Sequence, residues 1–150
     1  MLETGDYRSS NMSRLRIPIY FDYASTLCYI AWRIVTPLED ELGFEALWKG
    51  VPIATRDFRA KPGRILGERE RQKVLLVAAE TGVRVAPPSS WIDSVPALQG
   101  SEIARDAGVF AAYHDAVFRA AFDDGADIAD RAVLELIAEQ IGRASCRERV

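Results

Sequence analysis

The first clear pattern along the chain is an apolar, β-rich run, "IPIYFDY", bounded by Pro18 and the Ala24-Ser25 turn. It predicts a short buried strand. From Thr26 to about Leu42 the apolar positions move to helical spacing, with Leu27, Ile30, Ala31, Ile34, Val35 and Leu38 facing inward. Pro37 falls late in this stretch and should kink or end the helix; Gly43 is a natural stop. "FEALWKGVPI" then reads as a second strand. Strand, helix and strand at this spacing predict a βαβ crossover with two parallel neighbours.

After the loop "RDFRAKPGR" the pattern is helical to the end. "GERERQKVLLVAAETG" spaces Val74, Leu75, Ala78 and Ala79 as a helix, and its charged positions as a solvated face. "VRVAPPSSWIDSVP" carries three prolines and reads as a long connection. "ALQGSEIARDAG" and "VFAAYHDAVFRAAFDDG" are two more helices closed by glycine. Asp130 is a fair N-cap for a last one, "DRAVLELIAEQIG", which should end at Gly142. Two strands do not make a stable sheet alone. The expectation is an α/β fold seen through its N-terminal βαβ part and a helical insertion, with further strands lying beyond.

Charge and composition remove several functions. With 150 residues and a formal charge of −3, the chain has no basic run with interleaved aromatics, so nucleic acid is not an expected partner. No apolar run is long enough to span a bilayer. "MLETGDYRSSNMSRLR" has no apolar signal core and reads as a disordered extension over residues 1–16, with Met12 a plausible start. Together with one early and one terminal cysteine, Cys28 and Cys146, this leads to the expectation of a cytoplasmic chain with free thiols. Residues 143–150, "RASCRERV", break the preceding helical logic and resemble the translation of a common sequencing adapter. The expectation is that they are an artefactual tail, so Cys146 is set aside. No Gly-rich phosphate loop, paired-cysteine or His-x-x-x-His motif supports nucleotide or metal chemistry.

The remaining chemistry lies at the strand-to-helix turn. Ser25 sits where a helix offers unpaired N–H donors and the positive end of its dipole. It can cap the helix, as serines commonly do, or donate a hydrogen bond to a bound thiolate. Cys28, one turn later, is either a small buried hydrophobe or a single thiol, since no second cysteine stands three positions away. His114, the one histidine, lies on the face of Phe110, Val117, Phe118 and Ala121 and reads as a packed residue, as do Tyr113, Phe118 and Phe122.

The stretch "IYFDYASTLCYIAW" resembles the active-site opening of the DsbA-like branch of the thioredoxin superfamily, where a strand ending in Asp runs into Cys-Pro-x-Cys. In the branch's serine members, 2-hydroxychromene-2-carboxylate isomerase and kappa-class glutathione transferase, it runs into Ser-Pro-x-Ser. "ALQGSEIARDAGVFAAYHDAVFRAAFDDGADIADRAVLELIAEQIG" resembles the family's helical insertion, and the likeness extends from Ile17 to Gly142. It implies a thioredoxin-like βαβ half over 17–55 and a helical insertion over 56–142. It also implies that the family's cis-proline loop and C-terminal ββα follow beyond this sequence.

By position, Ser25 matches the attacking residue and Cys28 the fourth, giving the hybrid "STLC", with Thr26 where proline is usual. The resemblance implies glutathione as cosubstrate, with Tyr23, Thr26, Leu27 and Arg59 in the thiol-binding site. Arg59 stands where an Asn is usual. The parent activity it implies is a glutathione-dependent isomerase or a thiol–disulfide oxidoreductase acting on a small-molecule or thiol substrate. The alternative is a non-catalytic binding module of the same fold. The open edge of the first strand further predicts a self-associating chain with little activity of its own.

Overall fold

The computed structural model describes residues 14–53 and 61–148. Strand β1 (Leu15–Phe21), helix α1 (Thr26–Leu42) and strand β2 (Phe44–Gly50) come first; helices α2 (Glu68–Thr81), α3 (Val95–Asp106), α4 (Phe110–Phe122) and α5 (Arg131–Glu148) follow. The two strands pair in parallel, from Leu15 opposite Phe44 to Phe21 opposite Gly50, which is the expected crossover. Gly43 closes α1 at φ 71°, in the left-handed region that glycine enters without steric cost.

Three expectations are corrected. The apolar β1 is not a buried strand: only Phe21 is buried, while Leu15 is 69% and Tyr20 64% exposed. The helices cover chiefly the C-terminal end of the sheet, with Ile19 and Ala46 partly buried against the same core. The Phe21 carbonyl accepts the Val51 N–H, so it points towards β2; by the strand's alternation, Tyr20, Pro18 and Arg16 point to the other edge. Among the described residues no third strand pairs there, and the N–H that Pro18 lacks falls on that open side.

Helix α1 runs through Pro37 to Leu42 and stops at Gly43, the extent its spacing predicts. The ring removes the donor for the Arg33 carbonyl, but Arg33 and Pro37 are both exposed, so water can donate to that carbonyl in place of the missing N–H. Second, the inward face of α1 is turned from the one expected. Thr26, Tyr29, Ile30 and Trp32 are buried, and Leu27 is exposed. The rotation lets two aromatic side chains reach acceptors on α4 and just after it: Tyr29 Oη donates to Asp123 at 2.9 Å and Trp32 Nε1 to Asp115 at 2.9 Å.

Third, α5 does not stop at Gly142 but continues to Glu148. Gly142 keeps a negative φ, and a glycine inside a helix costs only about 1 kcal/mol. At the other end, the Asp130 carboxylate accepts the Ala132 N–H at 2.9 Å, as an N-cap should.

The core joins the βαβ part to the helices through aromatic residues. Phe21, Tyr23, Tyr29, Trp32 and Trp48 pack against Tyr113, Phe118 and Phe122. His114 sits at the centre with no exposed surface. Its ring lies 4.4 Å from Phe21, 4.5 Å from Trp32, 4.7 Å from Phe118 and 4.9 Å from Phe110. Arg105 adds a polar tie, donating to the Trp48 carbonyl at 2.6 Å and lying 4.0 Å over the Phe110 ring.

Candidate functional site at the mouth of α1

The turn between β1 and α1 is built by Asp22. Its side chain has no exposed surface; one oxygen accepts the Ala24 N–H at 2.9 Å and the other the Ile53 N–H at 2.7 Å. The Asp22 carbonyl accepts the Ser25 N–H at 3.0 Å. One acid therefore fixes both the entry to α1 and the segment leaving β2. Sequence reasoning missed this residue, although an acid ending an apolar strand just before a helix cap was the signal for it.

Ser25 is extended (φ −97°, ψ 112°) and half-buried. Its Oγ accepts the Cys28 N–H at 3.3 Å, so it is a helix cap. The cap uses an oxygen lone pair and leaves the hydroxyl proton as a donor. With Cys28 served, the N–H groups of Thr26 and Leu27 stand in the first turn, where a helix has no acceptor of its own to give them.

Cys28 is a free, half-buried thiol. It lines a depression of about 440 Å³ together with Tyr20, Phe21, Asp22, Val51 and Ile53. Ser25 is outside that lining, so the two members of the tetrapeptide meet through the cap hydrogen bond and serve neighbouring surfaces.

The other expected ligand contacts divide. Leu27 is exposed beside the turn, while Thr26 is 7% exposed and turned into the fold. Tyr23 is a correction: it has no exposed surface, and its hydroxyl pairs with His114 Nδ1 at 2.9 Å beneath the turn. Burial among aromatic rings makes Tyr23 a support for the site, holds its hydroxyl well above the usual tyrosine range, and leaves it no ligand to touch. Arg59 lies outside the described residues.

His114 packs as expected. Burial, with Arg105 adding repulsion, pushes it down to about 3, so it is a neutral strut and no acid or base at the turn. Among the described residues no group of three or more His, Cys, Asp or Glu could hold a metal ion, and no helix is long and apolar enough to cross a membrane.

The family model of the DSBA-like thioredoxin domain matches residues 16–147. The chain belongs to that family. The parallel strand pair and the helices after it are the βαβ part and helical insertion of a thioredoxin-like fold. Among solved structures, this DSBA-like chain is similar to the cytosolic disulfide reductase DsbM from Pseudomonas aeruginosa, in a structure with GSH. The two share 21% identity at a TM-score of 0.64, over 85% of this chain and 65% of that one. The chain thus spans a little under two thirds of its neighbour, and at that identity the likeness speaks to the fold. No curated protein matches.

Proposed function

We propose that the mouth of α1 is a glutathione site at which one thiol, Cys28, exchanges disulfides. The observation carrying this reading is that Cys28 lines an open depression while the capping Ser25, one turn earlier, still has a hydroxyl proton to give. The fold neighbour, a disulfide reductase in a structure with GSH, supports the same chemistry.

In the cycle, the Cys28 thiolate attacks the glutathione sulfur of a mixed disulfide. A Cys28–glutathione disulfide forms, the old S–S bond breaks, and the partner leaves as a thiolate that takes a proton from water. A second glutathione thiolate then attacks the bound glutathionyl sulfur, releasing Cys28 and glutathione disulfide. The partner sulfur has gained one electron and the second glutathione sulfur has lost one, while the first glutathione sulfur stays in a disulfide throughout. Ser25 donates a hydrogen bond to the incoming sulfur, and the first-turn N–H groups with the helix dipole favour its anionic form.

The test is turnover of the mixed disulfide of glutathione and mercaptoethanol by reduced glutathione. Activity should vanish in Cys28→Ser, fall about tenfold in Ser25→Ala through the lost hydrogen bond, and survive Cys146→Ser. Full activity in Cys28→Ser overturns the reading.

The free hydroxyl proton of Ser25 also favours a second reading, in which the serine activates glutathione for reversible addition to an unsaturated acid. That isomerase activity would survive Cys28→Ser and be lost in Ser25→Ala. A chain that neither turns over disulfides nor binds glutathione calorimetrically is instead a binding module of the same fold.

A further inference from the structure

The depression beside Cys28 has uneven chemistry. Tyr20, Phe21, Val51 and Ile53 give it apolar walls, and among the described residues Asp22 is the one charged member of its lining. That carboxylate cannot swing away, since each oxygen is held by a backbone N–H. Among the described residues it has no ion pair. Among the described residues no lysine or arginine lines the depression. A site that receives a carboxylate or phosphate presents cations or several N–H donors; this one commits its N–H donors to its own acid.

Resting on the single-thiol reading of Cys28, we infer that Asp22 makes this depression selective for uncharged or cationic apolar thiols and turns anionic ones away. The depression then receives the half of a mixed disulfide that leaves, while glutathione lies over Ser25 at the positive end of α1. Apolar walls favour an alkyl or aryl group by burial. An entering carboxylate meets a like charge beside a low-dielectric wall, which costs at least about tenfold in rate.

The experiment uses the full chain carrying Cys146→Ser and three small symmetric disulfides: hydroxyethyl disulfide (neutral), cystamine (cationic) and dithiodipropionate (anionic). In each case the Cys28 sulfur bonds to one probe sulfur and the probe's other half leaves as a thiolate, which is reprotonated by solvent. Rates are divided by those of free mercaptoethanol with the same probe, to remove differences in leaving group. The neutral and cationic probes should exceed the anionic one by about tenfold or more. Asp22→Asn should bring the three together. Tyr20→Lys, at an exposed lining position, should raise the anionic rate without asking the buried turn to tolerate a change.

Equal normalised rates for all three probes in the unsubstituted site overturn the inference while leaving the thiol reading intact. A folded Asp22→Asn that keeps the selectivity, or a Tyr20→Lys that leaves it unmoved, overturns the assignment to this depression. A Cys28 that reacts with none of the probes overturns the thiol reading instead.

Discussion

Lowering the pH from about 7.5 to about 5 perturbs this fold chiefly through His114, because it is the chain's one histidine and side chains of other types ordinarily titrate outside that interval. The ring has no exposed surface. Nδ1 is paired with Tyr23, and Nε2 has no hydrogen-bond partner among the described residues. A proton on the ring would therefore add a buried positive charge beside Arg105 and leave one N–H without an acceptor. The surrounding aromatic faces return only about 2 kcal/mol to a desolvated cation. Desolvation wins, which is why the folded value falls from 6.5 to about 3.

The unfolded chain thus binds the proton first, and stability that is complete above 6.5 is lost as the pH falls towards 3. At about pH 5 the folded ring is still neutral, so the loss follows the unfolded ring: about 1.4 kcal/mol per pH unit over about 1.5 units, or about 2 kcal/mol. By about pH 3 it approaches about 5 kcal/mol, comparable with the whole stability of a small domain. Urea unfolding at the two pH values reads the difference directly, and the single imidazole signal in an NMR spectrum reads the titration. His114→Gln should flatten the pH dependence between 5 and 7 while lowering stability at both ends. A folded imidazole that titrates near 6.5, or equal urea midpoints at the two pH values, would refute the account.

Phe118→Ala should cost about 3–5 kcal/mol by urea unfolding, because its wholly buried ring touches those of Phe21, Tyr23, Tyr29, His114 and Phe122; a loss below 1 kcal/mol would show that the junction relaxes around the gap. Gly100→Ala should be nearly as damaging, since a β-carbon there would overlap the Tyr113 hydroxyl that donates to the Ala97 carbonyl; Tyr113→Phe in the same chain should recover part of the loss. The bare edge of β1 predicts an apparent mass that rises with concentration in sedimentation, reduced by Leu15→Lys; a monomer at every concentration would contradict it.

The βαβ part could be read from the sequence because its signals are local: a short apolar, β-rich run in "IPIYFDY", a helical period after Ser25, and glycine at the stop. The helices of the insertion were legible for the same reason. The inward face of α1 was not, because Tyr29 and Trp32 are drawn inside by acids on and after α4 that lie more than 80 residues away. Nor was the role of Tyr23. Its neighbours in sequence resemble an active-site turn, but its partner is His114, 91 positions on. Asp22 shows the same limit: its bond to Ala24 is a local turn, while its bond to Ile53 depends on where the crossover returns.

These long-range pairs explain why the site and the helical insertion depend on one another. The cap at Ser25 is held from above by Asp22 and from below by Tyr23, and Tyr23 is held by a histidine of α4. A truncation that kept β1, α1 and β2 would retain the motif "STLC" yet lose the support under Tyr23 and the acceptors for Tyr29 and Trp32. Three polar groups would then lose their partners, and each that stayed buried would cost about 1–3 kcal/mol. The insertion is thus the part that keeps the mouth of α1 in one shape, and its removal should cost the turn its order before it costs the strands their pairing. Amide exchange at Ser25 and Cys28, compared with that at Val51, distinguishes the two: faster exchange at Val51 first would show that the sheet, and not the aromatic junction, holds the turn.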